Sequence, residues 1–343
     1  MHKSLSYDDV LLVPKYSDIR SRSEINITGD LTNGLSLPLP IISSPMDTIT
    51  ETAMSFVMAC MGGSGIIHRY NTIEEQSKMV REASAEIGTS AVGSLGAAVG
   101  VTGDYIERAQ SLVFAGARYI CVDIAHGHHI LMKEALYNLR KALPPNFHIM
   151  AGNVATLQGV NDLADWGANS VRCNIGGGSI CSTRIQTGHG MPGLQTIFDC
   201  ARTDRDIGII ADGGIRNAGD IVKALAAGAD AVMCGSLLAG TNETPGNILK
   251  DASGSYKVYR GMASKEAQIN WRGRYSSFEG ISSVVPCRGN VDSLLTDLEK
   301  NIKSGFSYSG ARNLKELRLK ADFTQQTTAG TVESGTHIAS KAV

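Results

Sequence analysis

Short, continuously apolar, β-branched runs recur eight times along this chain, and no other feature restricts its fold as much. They fall at 40–44, 64–67, 91–95, 119–124, 148–151, 170–175, 207–211 and 231–234. A run apolar on both faces suits a buried parallel strand better than a half-solvated antiparallel one. Stretches with helical periodicity lie between them, at 72–85, 105–115, 129–142, 157–166 and 218–227. Strand and helix alternating in this way predict a (β/α)8 TIM barrel, with an open doubly wound sheet as the runner-up. Three segments, AGARYICVD, WGANSVRCN and AGADAVMCG, repeat one transition. In each, a Gly ends a helix and a strand follows, which favours the closed form.

The 343 residues are 43% hydrophobic, enough for one large core, and the expectation is a single barrel spanning 1–343. A formal charge of -1 gives no reason to expect a nucleic-acid partner. No apolar run is long enough for a membrane span, and the N-terminus has no apolar leader core. Seven cysteines form no CxxC pair, which fits a reduced, cytoplasmic protein without a disulfide framework. Two segments stand apart. Residues 240–290 are polar, with a hairpin and then an exposed stretch, 263–285, long enough to be a mobile active-site flap. The tail, 324–343, is polar and without periodicity, and reads as disordered.

In a barrel, chemistry gathers at the C-terminal strand ends. The sixth run leads into Gly176-Gly177-Gly178-Ser179-Ile180-Cys181-Ser182-Thr183-Arg184. Consecutive glycines free backbone groups to face a ligand or ion. Cys181 is flanked by small polar residues with Arg184 nearby, a setting for a nucleophile. Cys121 and Cys234 lie within strands and read as small core residues. Asp212-Gly213-Gly214 and Gly235-Ser236 follow the seventh and eighth runs, where barrels bind phosphate. Asp212 suits a diol such as ribose. Asp123 with His126 and His128 has spacing compatible with a metal, but a second ribose is the better reading of Asp123.

Ten collinear segments now make a family resemblance specific: LSYDDVLLVP (5–14), SSPMDTITE (43–51), GIIHR (65–69), VDIAHGH (122–128), AGNVAT (151–156), GSICSTR (178–184), ADGGIR (211–216), GSLLAGT (235–241), YRGM (259–262) and EG (279–280). The chain resembles the IMP dehydrogenase/GMP reductase family over nearly its whole length. The resemblance implies that Cys181 attacks C2 of a purine nucleotide to form a thioimidate, with Thr183 beside the adduct. It implies that Ser179, Asp212, Gly213, Gly214, Gly235, Ser236, Tyr259, Gly261, Met262 and Glu279 hold the nucleotide. Asp123, Asn153 and Gly176 would lie on the side of a nicotinamide cofactor. The carbonyls of Gly176, Gly178 and Cys181, with Glu333, Ser334 and His337 of the tail, would belong to a monovalent-cation site such as K+. A homotetramer is also implied.

Two reactions share this chemistry. The dehydrogenase oxidises IMP to XMP with NAD+; the reductase deaminates GMP to IMP with NADPH. Arg274-Tyr275 resembles the pair that activates water in the dehydrogenase, AHGH and ADGGIR look like its versions, and the tail resembles its C-terminal segment. The short stretch from YRGM to Glu279, SRSEINI (21–27) and SYSGARNLKEL (307–317) look reductase-like. The regulatory CBS pair usual in dehydrogenases has no room here. The balance favours an NAD-dependent IMP dehydrogenase, with GMP reductase as the alternative. Asn174, Gly177 and His189 depart from the family, which more often has Gly, Pro and Val there. A nucleotide-binding barrel without turnover would have no reason to keep Cys181, Thr183 and Arg274-Tyr275 together.

Overall fold

The computed structural model describes residues 3–88 and 93–335. Eight parallel strands close into a barrel: β1 (Ile41–Ser43), β2 (Ser64–Ile67), β3 (Ser94–Val99), β4 (Tyr119–Asp123), β5 (His148–Val154), β6 (Ser170–Cys173), β7 (Gly208–Asp212) and β8 (Ala231–Cys234). Each pairs with its neighbours in sequence, and β8 returns to β1 through Val232–Ile41 and Cys234–Ser43. The (β/α)8 expectation therefore holds. The third strand is the one displaced from its sequence assignment: 91 and 92 lie outside the described residues, and the strand itself starts at Ser94.

The helices around the barrel are α1 (Thr52–Cys60), α2 (Ile73–Ile87), α3 (Tyr105–Ala115), α4 (Ile130–Ala142), α5 (Leu157–Asp165), α6 (Gly193–Cys200), α7 (Ala218–Ala226) and α8 (Val291–Tyr308). Local chemistry sets their ends. Thr72 and Glu75 form a reciprocal capping box at α2, and Asn217 caps α7 by accepting the Asp220 N–H at 2.9 Å. The repeated glycine transition is real: Gly116, Gly167 and Gly228 have φ of 112°, 111° and 120°, and β4, β6 and β8 begin three residues later. The mostly apolar α1 and the long α8 begin without a side-chain cap.

Inside the barrel, Ile42, Ile66, Ala98, Cys121, Met150, Ile210 and Met233 pack together. A short hairpin, Gly29–Asp30 with Ser36–Leu37, closes the N-terminal end by adding Leu31, Leu35 and Leu37 to that cluster. Strand alternation then stacks the interior in layers. In β4 the layers are Tyr119, Cys121 and Asp123; β6 contributes Ser170 and Arg172, and Asn174 follows just past its end.

One expectation changes, and a second segment gains detail. The tail is not structureless over its described part. Phe323–Gln325 pairs antiparallel with Val10–Leu12, Phe323 packs edge-on against Phe198 at 5.0 Å, and Thr327 caps a helix, Thr328–Glu333. A distant edge strand supplies the partners that local sequence lacks. The segment 263–285 is exposed but built: it holds a helix, Lys265–Arg272, and a strand, Ser282–Pro286, in a three-stranded sheet with Leu249–Asp251 and Gly254–Arg260.

Candidate active site

A cavity of about 420 Å³ opens at the C-terminal ends of the strands. Its centre is the loop after β6. The Cys181 thiol donates to Thr183 Oγ1 at 3.1 Å, and the Thr183 hydroxyl donates to Glu279 Oε2 at 2.8 Å. Backbone bonds clamp the two segments: Ser182 N–H to Glu279 O at 2.8 Å and Ile281 N–H to Ile180 O at 3.0 Å. A carboxylate far along the chain is thereby fixed one hydroxyl away from the sulfur. The strand cysteines are different. Burial pushes Cys121 up to about 12, and Cys173 and Cys234 upward as well, so they stay thiols.

Arg172 crosses the mouth of the barrel axis. Its guanidinium contacts Asp123 of β4 and bonds Asp212 of β7 at 2.8 Å and 3.0 Å. Burial alone would lower its pKa, but Asp212 and then Asp123 outweigh that and hold it well above the usual arginine value. Asn153 donates to Asp212 at 2.7 Å and to the Asn174 carbonyl at 3.1 Å. Arg69 lies 3.7 Å from the other Asp123 oxygen. Both carboxylates line the cavity; the Asp212 contacts all fall on Oδ2, which leaves Oδ1 without a protein partner, whereas each Asp123 oxygen faces an arginine.

At the far wall, Tyr259 meets Ser179 and Ser236. Burial pushes its phenol up, while hydrogen bonds to those serines act the other way. Gly213, Gly214, Gly235, Gly261 and Met262 line the same cavity. Gly213 and Gly214 have φ of 86° and 77°, and a Cβ on Gly235 would sit 3.0 Å from the Tyr259 hydroxyl. Hydroxyls and side-chain-free backbone form a cradle for an anion.

The structure brings together Cys181, Thr183, Ser179, Asp212, Glu279, Asp123, Asn153, Gly176 and Gly178 around one cavity. It does not bring Arg274 or Tyr275 to that lining. Tyr275 is 47% exposed, with Lys265 Nζ 4.6 Å over its ring. Glu333 and Ser334 also lie elsewhere within one chain; Ser334 Oγ bonds Gln326 and the Gly330 carbonyl. His337 is outside the described residues. His128 bonds Asp162 at 2.7 Å while Asp123 faces Arg172, so these two do not share a site.

Three participants escape a motif reading. Arg172 is one, although Ser170, Arg172 and Asn174 recurring at period two would have flagged a polar interior face. The others are Tyr70, which lines the cavity, and Trp271 of the flap helix, stacked on it at 5.8 Å.

Comparison with known proteins decides the family. The model of the "IMP dehydrogenase / GMP reductase domain" matches residues 4–337. The chain belongs to the IMP dehydrogenase/GMP reductase family. It is 34% identical to inosine-5'-monophosphate dehydrogenase of Nitrosopumilus maritimus, over 98% of each chain, and 32% identical to GMP reductase of Leishmania major, over 99% of this chain and 98% of that one. Those alignments run to 468 and 480 positions, more than this chain's 343 residues, so both relatives carry segments without a counterpart here. A solved structure of Trypanosoma brucei GMP reductase with guanosine 5'-monophosphate superposes with a TM-score of 0.92 at 30% identity, covering 99% of each chain.

The family resemblance implies a nicotinamide cofactor, which would need room beside Cys181. The side of the cavity lined by Asp123, Arg69 and Tyr70 fits, with Arg69 held against Asp123 through Nε at 3.7 Å and a bond from its guanidinium to the Asp123 carbonyl at 3.2 Å. The monovalent-cation site fits less well. Among the described residues of one chain, only the loop carbonyls of the expected set come together: Gly178 accepts the Cys181 N–H at 3.1 Å and keeps a second lone pair, while Ser334 bonds Gln326 and Gly330. No chemical step is therefore assigned to a cation.

Proposed function

We propose that this family member is a GMP reductase, converting GMP to IMP and ammonia with NADPH. The observation that carries this reading is that Arg274 and Tyr275 stay off the cavity lining while the Thr183 hydroxyl sits between Cys181 and Glu279. Cys181 sulfur bonds to C2 of the purine, and the C2–amine bond breaks. An amine leaves well only when protonated, and Glu279 relaying a proton through Thr183 supplies that function. When bound, the nicotinamide supplies the hydride that reduces C2 as the sulfur departs. Asp212, oriented by Arg172 and Asn153, holds the ribose, and Ser179, Ser236, Tyr259 and the glycines hold the phosphate. The SRSEINI and SYSGARNLKEL segments, reductase-like in sequence, also pack together: the Arg312 guanidinium lies 3.7 Å from a Glu24 carboxylate oxygen, and the Arg312 carbonyl accepts the Asn26 N–H at 2.8 Å.

The second reading is the NAD-dependent dehydrogenase favoured by the sequence. Arg274-Tyr275 supports it, provided the flap moves that pair into the cavity to activate water. Either reading places a purine nucleotide on Cys181, and the tetramer, the cytoplasm and a mobile flap belong to both.

One assay separates them. Purified protein should consume NADPH with GMP and release IMP and ammonia; NADH and XMP formed from IMP and NAD+ would instead establish the dehydrogenase. Cys181→Ala should abolish turnover and leave nucleotide binding intact, measured by calorimetry. Residual turnover would remove the covalent mechanism.

A further inference from the structure

Asn174 and Gly177 depart from the family pattern together, and the structure shows them to be complementary. A Cβ on Gly177 would lie 2.0 Å from Asn174 Nδ2 and 2.9 Å from Oδ1, so the carboxamide occupies the volume that a side chain at 177 would need. A Cβ on Gly193 would approach the same nitrogen at 3.2 Å, closing the other side. The carboxamide is confined: Asn174 is 4% exposed, its N–H donates to the Val154 carbonyl at 2.8 Å, and its carbonyl accepts from Asn153. It also divides the nucleotide cavity from a neighbouring one of about 300 Å³. Its φ of 152° is one that glycine adopts freely and a side chain does not, yet a side chain is present.

We propose that the Asn174 carboxamide, seated beneath Gly177, holds the Cys181 loop in its working shape, so that the loop does not depend on a monovalent cation. The amide nitrogen packs on Gly177 and points toward the Gly213 carbonyl at 3.5 Å. The carboxamide Oδ1 is buried beside the same Gly177 without a hydrogen-bond partner, so what holds the loop is the volume the carboxamide fills beneath Gly177 and its Nδ2 contact with Gly213. Asn174 touches no reacting atom; it is a positioning residue acting through the backbone from Asn174 to Cys181. The idea rests on Cys181 being the nucleophile, but not on which of the two reactions follows.

The test uses the full chain, with potassium chloride exchanged for Tris chloride at equal ionic strength. Wild-type turnover should change by less than about twofold, whereas Asn174→Gly in the Tris buffer should lose about tenfold or more in kcat, with nucleotide KM held within about twofold, as misplacement of a reacting group costs rate more than binding. Cys181 alkylation by iodoacetamide, followed against pH, should slow or shift in the same variant. Gly177→Ala should impair the protein by displacing the carboxamide. Combining it with Asn174→Gly should relieve that clash and leave an enzyme stimulated by potassium. Strong potassium stimulation of the wild type would overturn the proposal, as would Asn174→Gly alkylating and turning over like wild type. Alkylation reports on the loop under either reaction, so a failed reductase assay and a failed Asn174 test are distinguishable. Turnover surviving Cys181→Ala would instead discard the nucleophile on which the proposal stands.

Discussion

Arg172 holds two carboxylates that the site needs in fixed orientation, and it does so from a buried position on the barrel axis. Replacing it with Leu leaves Asp123 and Asp212 without their shared cation in a poorly solvated mouth. Breaking a buried pair from one side costs about 3–5 kcal/mol, so Arg172→Leu should lower the urea midpoint markedly. Arg172→Lys should recover only part, because an ammonium lacks the planar fork that reaches both partners. A variant with wild-type stability would mean that the carboxylates find compensation elsewhere. Cys181 was legible from its glycine loop alone, because the composition around it suits no core. Arg172 was not: a charge inside an apolar strand looks like an exception until the opposing acids, on β4 and β7, are known.

The last barrel helix, α8, buries Val291, Leu295, Leu298, Ile302 and Phe306 along one stripe, the spacing of a helix with a single apolar face. Gly305 lets it approach α7 closely: a Cβ there would meet Val222 Cγ2 at 2.7 Å. Phe306 is fully buried, so Phe306→Ala should cost about 3–5 kcal/mol through lost burial and the cavity left behind. Chemical denaturation checks this, and a loss below 1 kcal/mol would place Phe306 outside the core. At this scale the amphipathic helices α2 to α5 and α7 were readable to within a residue or two, since each has one wet face. Helix α1 was not, because Met54, Ser55, Met58 and Ala59 are buried and its sequence is apolar nearly all round. The pairing of Phe323–Gln325 with Val10–Leu12 was invisible because its partners lie at opposite ends of the chain.

For the molecule as a whole, the N-terminal end of the barrel carries a pH liability. His148 is 4% exposed, its Nδ1 is buried without a partner, and Nε2 meets Ser170 Oγ at 2.8 Å. Burial, and then Arg140, lower its pKa to about 4. An unfolded chain takes up that proton near pH 6.5, whereas the folded one stays neutral to about pH 4. Between those values the unfolded state binds more protons, so stability falls as pH drops through this window, by on the order of 3 kcal/mol in total. Denaturation at pH 7 and pH 5 should show the loss in wild type and a smaller one in His148→Gln; equal slopes would assign the acid sensitivity elsewhere. Among the described residues no helix is long and apolar enough to cross a membrane. The sequence by itself determined the eightfold alternation, the glycine turns and the loop that presents Cys181, because each is written within a few adjacent residues. Only the tertiary structure decided which face of each strand looks inward, and so which charges meet at Arg172. It alone set Glu279 against Thr183, kept Arg274-Tyr275 outside the cavity and fitted Asn174 beneath Gly177. Those outcomes follow from closing eight strands on one another, which fixes register and distance between residues that local pattern leaves independent.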